Sequence, residues 1–256
     1  MVLHFTKYQG TGNDFVLIDN RSGSFPEGKS NLVKKLCNRR YGIGADGLML
    51  IKSHPEVDFE MIYYNADGSK SLCGNGSRCA VDFARSLGLI SNKTTFITND
   101  GKHEAYIDGG WVHFALHDLP DMFQGNGFYF IDNGSPHHVV FMDKDVGTQD
   151  VYAVGKQIRE AKKYQPNGVN VNFAQIKENT LQVRTYERGV EGETLSCGTG
   201  VTASALACHY MGMKPPIHIC TLGGKLSVTY KKQPVGFSNI ILSGPATKVF
   251  SGHISI

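Results

Sequence analysis

The chain has 256 residues, which allows one large domain or two domains of about 125 residues each. Its hydrophobic content of 41% and charged content of 19% are ordinary for a globular protein, and a net charge of +3 is too small to indicate a nucleic-acid partner. Because it has neither a signal-peptide pattern nor an apolar stretch of about 18 residues, we expect a cytoplasmic protein that does not bind membranes.

The six cysteines show neither a disulfide framework nor a metal site. They stand at positions 37, 73, 79, 197, 208 and 220. No Cys-x-x-Cys pair occurs, and the histidines lack the spacing of metal ligands. In the cytoplasm such cysteines are expected to be reduced thiols and not disulfides. Because the spacing of metal ligands is missing, the sequence predicts no bound metal.

The first half of the chain predicts a series of short strands with two helices among them. The predicted strands are Val2–Lys7, Phe15–Ile18, Leu48–Lys52, Phe59–Tyr64, Thr94–Thr98, His103–Ile107 and Trp111–Leu116. Ser30 is predicted to cap the first helix, which places Leu36 and Cys37 on one apolar face. The second helix follows Cys73 and ends at the cap residue Gly88.

The second half repeats this pattern of strands and helices. Its predicted strands are Gly127–Ile131, Val139–Met142, Gly168–Ile176, Leu181–Tyr186, Ile217–Leu222, Lys225–Tyr230, Ile240–Leu242 and Thr247–Phe250. Asp150 is predicted to cap a helix, and Glu178-Asn179 is predicted to form a hairpin turn. A further helix follows Cys197 and ends at Gly212.

Two segments share one motif, a loop that ends in Cys-Gly-x-Gly and leads into a helix of small and apolar residues. They are Ser71–Ala80, which contains Cys73, and Glu193–Ala207, which contains Cys197. Unpaired N–H groups and the helix dipole favour an anion at a helix N-terminus, either a thiolate or a bound carboxylate. A thiol there can have its pKa lowered by one to several units from about 8.5. One such motif alone is explained as well by a helix start with a buried structural cysteine.

The duplication of this motif predicts an α+β protein with two pseudo-symmetric domains. The predicted first domain, residues 1–117, contains Cys73 and is completed by a C-terminal strand at residues 246–256. The predicted second domain, residues 118–245, contains Cys197.

Two glycine-rich segments resemble dinucleotide-binding loops in spelling only. Tyr41–Gly47 fits G-x-G-x-x-G, but it lies between a helix and a strand, the reverse of the order that nucleotide binding requires. Gly198–Ala203 spells G-x-G-x-x-A, yet no acidic residue follows Glu193 to bind a ribose. Neither segment predicts a nucleotide cofactor.

Seven short motifs resemble the diaminopimelate epimerase family, in order and over nearly the whole chain. They are Gly12-Asn-Asp-Phe15, Asn65-Ala-Asp-Gly-Ser69, Cys73-Gly-Asn-Gly-Ser-Arg-Cys79, Ser135-Pro-His137, Gly168-Val-Asn-Val171, Tyr186-Glu-Arg-Gly189 and Cys197-Gly-Thr-Gly200. The resemblance implies epimerisation of LL-2,6-diaminopimelate to the meso form, in lysine and peptidoglycan-precursor biosynthesis. It implies that no cofactor takes part.

The resemblance also implies a fold and an assembly. Each of two similar domains is expected to be a curved mixed β-sheet or barrel wrapped around a central helix, with the active site in the cleft between the domains. Members of the family are commonly homodimers. We therefore expect a homodimer. Its expected ligand is the small-molecule substrate diaminopimelate.

By this resemblance, Cys73 and Cys197 are the two acid/base residues. Inversion of an α-carbon requires proton removal on one face and proton delivery on the other, which two opposed thiols can provide. One must be a thiolate while the other is a thiol, so the pair is expected to titrate as a coupled unit. Because the Cα–H of an amino acid is a very weak acid, backbone N–H groups at both helix N-termini are expected to stabilise the developing charge.

The remaining matched positions suit a substrate with two amino-acid ends. By resemblance the residues that bind it are Asn13, Asn65, Gly74, Asn75, Ser135, Asn170, Glu187, Arg188, Gly198 and Thr199. Arg188 can bind a carboxylate bidentately, Glu187 can face an ammonium group, and both Glu187 and His137 are expected to modulate a cysteine pKa. Taken singly, the asparagines are ordinary turn formers, Arg188 is a surface residue and His137 is a loop or core residue.

Three positions depart from the pattern of the family. Ser135 stands where many members have Asn, so its contact with substrate rests on a hydroxyl. Gly47 stands where some members have Gln, and it offers no side chain. Glu191 is one additional residue in the loop before Cys197, which predicts a different course for that loop.

Two other classes of function compete with this interpretation. A proline racemase or hydroxyproline epimerase would share the fold and the two cysteines, but its first motif typically has His at the position of Asn75. A redox sensor or binding protein could use Cys73 and Cys197 as an oxidisable pair, but this leaves the Asn and Glu-Arg motifs unexplained. The other cysteines, at positions 37, 79, 208 and 220, are interpreted as buried structural thiols.

Overall fold

Strands dominate the chain, with seventeen of them and four α-helices in the computed structural model, which describes residues 2–256. The chain divides into two units. The first comprises the chain up to Phe114 together with Gly244–Ile256, and the second is Ala115–Ser243. No helix in residues 2–256 has the length and apolar character needed to cross a bilayer.

The first unit is one mixed sheet with two helices. Its elements are β1 (Val2–Gly10), β2 (Asn13–Asp19), α1 (Ser30–Cys37), β3 (Gly47–Lys52), β4 (Phe59–Asn65), α2 (Gly74–Ser86), β5 (Lys93–Thr98), β6 (Gly101–Asp108), β7 (Trp111–Ala115) and β17 (Thr247–Ser255). The strand order is β17-β1-β2-β3-β4-β5-β6-β7. The pairs β2/β3 and β4/β5 are parallel, and the other pairs are antiparallel.

The second unit repeats this order with its own strands. Its elements are β8 (Phe123–Gly125), β9 (Phe128–Asp132), β10 (Pro136–Phe141), α3 (Val151–Arg159), β11 (Asn170–Lys177), β12 (Thr180–Glu187), β13 (Gly192–Thr194), α4 (Gly198–Ala207), β14 (Ile217–Thr221), β15 (Gly224–Lys232) and β16 (Phe237–Gly244). The strand order is β8-β9-β10-β11-β12-β14-β15-β16, and the short strand β13 also pairs with β12. Here β10/β11 and β12/β14 are the parallel pairs. The two units therefore share one topology, and the predicted two-part α+β fold is confirmed.

The central helix of the first unit is α2, which packs against β1, β2, β3, β4 and β17. Every residue from Gly74 to Val81 is buried, because the small residues of the first two turns let the strands approach the helix closely. A Cβ on Gly76 would lie 2.7 Å from the Cε of Met49 on β3. The opposite face of the sheet packs on α1 through Val33 and Leu36.

The corresponding helix of the second unit is α4. All of its residues except Thr199 are buried, and its apolar residues join the main core of this unit. A helix that is apolar on all sides requires cover on all sides, which the curved sheet supplies. The helix ends in a 3₁₀ turn, Cys208–Met211, and Gly212 follows in the left-handed conformation at φ 82°, which confirms its predicted role.

Several local predictions are confirmed. The side chain of Asp150 caps α3, its Oδ1 accepting from the backbone N–H of Ala153 at 2.9 Å. The turn between β11 and β12 has positive φ at both Glu178 and Asn179, 49° and 62°, as a tight hairpin requires.

Other local predictions are wrong. Lys29, not Ser30, is the N-cap residue of α1, because the Lys29 carbonyl already accepts from the N–H groups of Leu32 and Val33. The short strands β8 and β13 lack an alternating pattern and were not predicted. Cys220 is half-buried, since it lies on β14 beside the open groove that Leu222 also lines.

A cluster of four charged residues fixes the turn between β1 and β2 to the loop before β3. Lys7 is buried, donates to the carbonyl of Gly44, and lies 2.8 Å from Asp14. Arg39 binds Asp14 and Asp46 at 2.6 Å and 2.8 Å. Burial alone would raise the pKa of Asp14, but hydrogen bonds and charges from Arg39 and Lys7 outweigh it and lower this pKa to about 2.

We expect Asp14→Asn to lower the free energy of unfolding by about 2 kcal/mol at pH 7. Because the pKa of Asp14 is lower in the folded state, its contribution is complete above about pH 4 and declines as the pH falls through its folded value. Urea unfolding between pH 7 and pH 3 should show the loss shrinking with acidification. Asp19→Asn, which removes an exposed pair with Arg21, is the control and should cost less than about 1 kcal/mol. An Asp14→Asn deficit that does not vary with pH would contradict this account.

Candidate active site

The two cysteines of the repeated motif occupy equivalent positions. Cys73 is the N-cap residue of α2 and Cys197 is the N-cap residue of α4, with similar extended backbone angles of φ −133°, ψ 108° and φ −117°, ψ 111°. The Cys73 sulfur accepts from the N–H of Gly76 at 3.4 Å, and the Cys197 sulfur lies 3.5 Å from the hydroxyl of Thr199. Each sulfur therefore stands beside the first turn of a buried helix, where backbone N–H groups favour an anion.

The side-chain amides of Asn13 and Asn75 lie beside the sulfur of Cys73. The Nδ2 of Asn13 donates to Asp46, and its Oδ1 lies 3.6 Å from the Cys73 sulfur. Because a carboxylate can only accept, Asp46 fixes this amide with its oxygen towards the thiol. The Nδ2 of Asn75 lies 3.5 Å from the same oxygen. The structure thus brings three of the predicted site residues together and adds Asp46.

Asn65 is the last residue of β4, directly before the loop that leads to Cys73. Its Nδ2 donates to the hydroxyl of Ser69 at 2.9 Å, and its Oδ1 accepts from the hydroxyl of Ser71 at 3.2 Å. Asn65 therefore orders this loop through its side chain, as a turn-forming asparagine does.

Gly47 is required by its neighbour on β4. A Cβ at this position would lie 2.5 Å from the ring of Tyr63 and 2.7 Å from the carbonyl oxygen of Tyr64. A longer side chain at position 47 is therefore incompatible with Tyr63. This explains in packing terms why the chain has glycine here.

In the second unit, Asn170 joins two loops beside α4. Its Nδ2 donates to the hydroxyl of Ser135 at 2.7 Å and to the carbonyl of Pro136 at 3.0 Å, and its Oδ1 accepts from the backbone N–H of Arg188 at 2.8 Å. Ser135 is thus joined to Asn170 through its hydroxyl group. The loop before it is tied to α4 because Asn133 donates to the carbonyl of Thr199 at 2.9 Å.

His137 lies on β10 and is fully buried, whereas the sequence placed it in a loop before the strand. Its Nδ1 accepts from the Nδ2 of Asn172 at 3.1 Å, so its proton is on Nε2. The Oδ1 of Asn172 accepts from Thr185 and would lie 2.4 Å from a Cβ on Gly200. Burial, with a smaller effect of the Arg188 charge, lowers the pKa of His137 to about 3. At neutral pH it is an uncharged N–H donor.

Glu187 and Arg188 stand at the end of β12. The carboxylate of Glu187 accepts from the hydroxyl of Thr194 at 3.0 Å. The guanidinium of Arg188 contacts the carbonyl of Asn167 at 3.5 Å and forms no ion pair within residues 2–256. Its charge is therefore available to a carboxylate ligand.

The additional residue Glu191 gives the loop before Cys197 a defined anchor. Its backbone is left-handed at φ 56°, and its carboxylate pairs with Arg159 of α3 at 2.8 Å. The same carboxylate accepts from the N–H of Gly189 and the hydroxyl of Tyr186. The insertion is thus bound to the second unit rather than left as an unattached bulge.

Sequence reasoning missed four polar residues that surround the two cysteines. They are Asp46, Arg78, Asn133 and Asn172. Three of the four lie in or next to a motif that the sequence did single out. What the sequence lacks is any sign of which side chains in a motif point towards the cysteine.

The fold is shared with solved structures of an epimerase and of PhzF-type proteins. A PhzF-family phenazine biosynthesis protein from Bacillus anthracis matches with a TM-score of 0.79 and 14% identity over 100% of both chains. A hydroxyproline epimerase from Agrobacterium vitis, with bound trans-4-hydroxy-L-proline, matches with a TM-score of 0.71 and 14% identity over 100% of this chain and 93% of its own. At this identity the likeness shows a common fold and nothing about substrate.

The sequence comparison is more specific. The model of the diaminopimelate epimerase family matches residues 5–114 and 129–249. A diaminopimelate epimerase from Flavobacterium psychrophilum is 47% identical over 97% of this chain and 98% of its own, and one from Aquifex aeolicus is 40% identical over 99% and 98%. The chain belongs to the diaminopimelate epimerase family, as its motifs predicted.

We expect His137 to stay neutral from pH 8 to pH 5, because its buried ring gains no compensating anion when it is protonated. Histidine-selective NMR, assigned with His137→Asn, should show the Nε2–H tautomer throughout this range. Asn172→Ala removes the donor to Nδ1 and should weaken the preference for that tautomer. Since the pKa is lower in the folded state, protonation opposes folding increasingly below about pH 6.5. A His137 titration midpoint anywhere between pH 5 and pH 8 would show that the assigned environment is wrong.

Proposed function

We propose that this protein epimerises LL-2,6-diaminopimelate to meso-diaminopimelate without a cofactor, as a step in lysine and peptidoglycan-precursor biosynthesis. The observation that carries the proposal is the placement of Cys73 and Cys197 at matching helix N-termini of two units with the same topology. Membership of the diaminopimelate epimerase family supplies the substrate.

In the proposed reaction each cysteine serves one face of the same α-carbon. A thiolate removes the α-proton, and the thiol of the other cysteine delivers a proton to the opposite face. The roles exchange when the starting configuration is reversed. Each unit contributes one helix N-terminus, whose N–H groups stabilise the negative charge that develops during proton removal. Preorganised donors of this kind lower the activation free energy by a few kcal/mol each.

The contacts around Cys73 suit a residue that must exist in both protonation states. The Oδ1 of Asn13 accepts a hydrogen bond and so favours the thiol. The N–H of Gly76 donates to the sulfur and so favours the thiolate. Because the two contacts oppose each other, together they do not commit Cys73 to either protonation state.

The proposed substrate has a carboxylate and an ammonium group at each end. The N–H groups of Gly74, Asn75, Gly198 and Thr199 are the proposed donors to the reacting carboxylate. For the distant end, the support is the guanidinium of Arg188, which has no ion-pair partner among the described residues and stands next to the carboxylate of Glu187. An anion and a cation side by side in the chain can bind the ammonium and carboxylate of a second amino-acid end, which diaminopimelate has and proline lacks.

The remaining proposed contacts come from neutral side chains. Asn13, Asn65, Asn170 and Ser135 are the proposed hydrogen-bonding partners of the substrate. His137 is proposed to act on a cysteine through its Nε2–H dipole, because its ring is uncharged at neutral pH. Glu187 is the proposed charged modulator of a cysteine pKa.

The decisive experiment is proton exchange at the α-carbon. LL- and meso-diaminopimelate are incubated in deuterated buffer with a reductant and without added cofactor, and both centres are followed by NMR. The wild type should interconvert the isomers and incorporate deuterium at the inverted centre. Cys73→Ser and Cys197→Ser should each lose at least about a hundredfold in rate, because each removes the acid/base for one face.

Cys208→Ser is the matched control, since Cys208 is a buried thiol in the second unit that the proposed mechanism does not use. It should keep the wild-type rate if it folds. Turnover of proline or hydroxyproline in place of diaminopimelate would move the assignment to the rival substrate class. Full activity in either Cys73→Ser or Cys197→Ser would end the two-base proposal.

We also propose a cytoplasmic homodimer. A pair of thiol acid/bases requires a reducing compartment, which supports the location. The support for a dimer is the C-terminal strand β17, where Val249 and Phe250 are 55% and 48% exposed. Adjacent large apolar side chains exposed on a strand are typical of an interface with another chain.

Phe250→Asp should shift the protein from dimer to monomer in sedimentation equilibrium at micromolar concentration, because it places a charge in the proposed apolar contact. Val235→Asp is the control: Val235 is 81% exposed in the second unit and lies outside the proposed contact. A wild-type protein that is monomeric throughout the concentration range would refute the dimer.

A further inference from the structure

Arg78 is a fully buried cation at the start of α2, with 0% of its surface exposed. Its Nη2 donates to the Oδ1 of Asn75 at 2.9 Å, and its Nη1 donates to the carbonyl of Gly74 at 3.3 Å. Its Nε has no hydrogen-bond partner, and no carboxylate in residues 2–256 pairs with its guanidinium. A buried arginine normally has a carboxylate partner, so this one is unusual.

The site of Arg78 is shaped to hold it. A Cβ on Gly10 of β1 would lie 3.5 Å from the Nη2 of Arg78 and 3.1 Å from the carbonyl of Asn75. Burying a cation without an anion is unfavourable, and an apolar side chain would fill the same space without that penalty. Packing therefore does not explain the charge. An anion that forms beside Arg78 while the protein functions would explain why a charged side chain is placed here.

Two thiols that could become such an anion lie close to Arg78, those of Cys79 and Cys73, and only Cys73 is partly exposed. Arg78 contacts the carbonyl of Gly74, the residue that directly follows Cys73. It also holds Asn75, whose Nδ2 lies 3.5 Å from the Oδ1 of Asn13, the same oxygen that faces the Cys73 sulfur at 3.6 Å. Arg78 is thus connected to the sulfur both by charge and by a chain of fixed amides.

We propose that Arg78 is a positioning residue that stabilises the thiolate of Cys73 and so sets the balance between its thiolate and thiol forms. This rests on the proposed function only in treating Cys73 as an acid/base. The oxygen of Asn13 turns the negative end of its dipole towards the sulfur, which by itself disfavours a thiolate. The guanidinium supplies the opposing effect from within the protein.

No other titratable group described near this end of α2 supplies a positive charge that could stabilise the thiolate of Cys73. Asp82, one turn further along α2, accepts from the hydroxyl of Tyr8 on β1 and pairs with Arg85. Burial, followed by the charge of Asp82, raises the pKa of Tyr8, so it is neutral. Burial also raises the pKa of Cys79 above its ordinary value, so this thiol is neutral too.

The strands that pack against α2 bring charges that are compensated by a partner or, as with Lys248 on β17, exposed to solvent. Asp14 on β2 is paired with Lys7 and Arg39. β3 contributes Met49 against Gly76. On β4 the ring of Tyr63 stacks edge-on to Phe15. Burial lowers the pKa of Arg78 to about 10, and the neighbouring thiols oppose this change, so Arg78 remains charged at neutral pH.

The test is the pH dependence of Cys73 alkylation by iodoacetamide, read by peptide mass spectrometry in wild type, Arg78→Gln and Arg78→Lys. In the wild type the midpoint should lie below about 8.5. In Arg78→Gln it should rise by at least about one unit, which lowers the alkylation rate at pH 7 about tenfold. Arg78→Lys keeps the charge and should stay near the wild type. The half-buried Cys220 in the same digest is the internal control and should not change.

A purely structural Arg78 would lower the unfolding temperature of Arg78→Gln without moving the Cys73 midpoint, and that result would overturn the proposal. If Arg78→Gln does not fold, a midpoint at or above about 8.5 in either wild type or Arg78→Lys would overturn it. The alkylation experiment needs no diaminopimelate. It therefore separates failure of this inference from failure of the proposed epimerase activity.

Discussion

The first turns of α2 and α4 impose the constraint on which both candidate half-sites depend. The first two turns of each helix are almost entirely buried against a curved sheet, which small residues such as Gly76 and Gly200 permit. The N–H groups of such a first turn lack partners within the helix and must find acceptors at its end. Since a cysteine is the N-cap residue in both helices, the same requirement that shapes the fold places a sulfur where negative charge is favoured.

The two half-sites use this geometry in different electrostatic settings. Beside Cys73 the polar side chains include an acid, Asp46, and a buried cation, Arg78, joined by two amides. In the second unit His137 and Asn172 are neutral, and the charged groups Glu187 and Arg188 stand at the end of β12. Two thiols with different surroundings suit a reaction in which one starts as a base and the other as an acid, because the surroundings then add to the coupling that separates their protonation states.

Much of the fold follows from local sequence. The Asp150 cap, the Glu178-Asn179 turn and the left-handed Gly212 each depend on residues within a few positions, so the sequence predicted them correctly. The error at Ser30 is also local: a serine at the start of a helix need not be its cap when the preceding carbonyl takes the first helical bond. β8 and β13 have only three residues each, too few to show a period.

By itself the sequence determined the family, the two-part α+β organisation and the position of both cysteines at helix starts, because motifs and burial patterns are carried by neighbouring residues. Only the tertiary structure decided which polar side chains meet those cysteines. Asp46 reaches Asn13 because β2 and β3 are parallel with Phe15 opposite Gly47, and Asn172 reaches His137 because β10 and β11 are parallel with His137 opposite Asn170. Strand register brings together residues more than thirty positions apart, and a single sequence does not encode it in any local pattern.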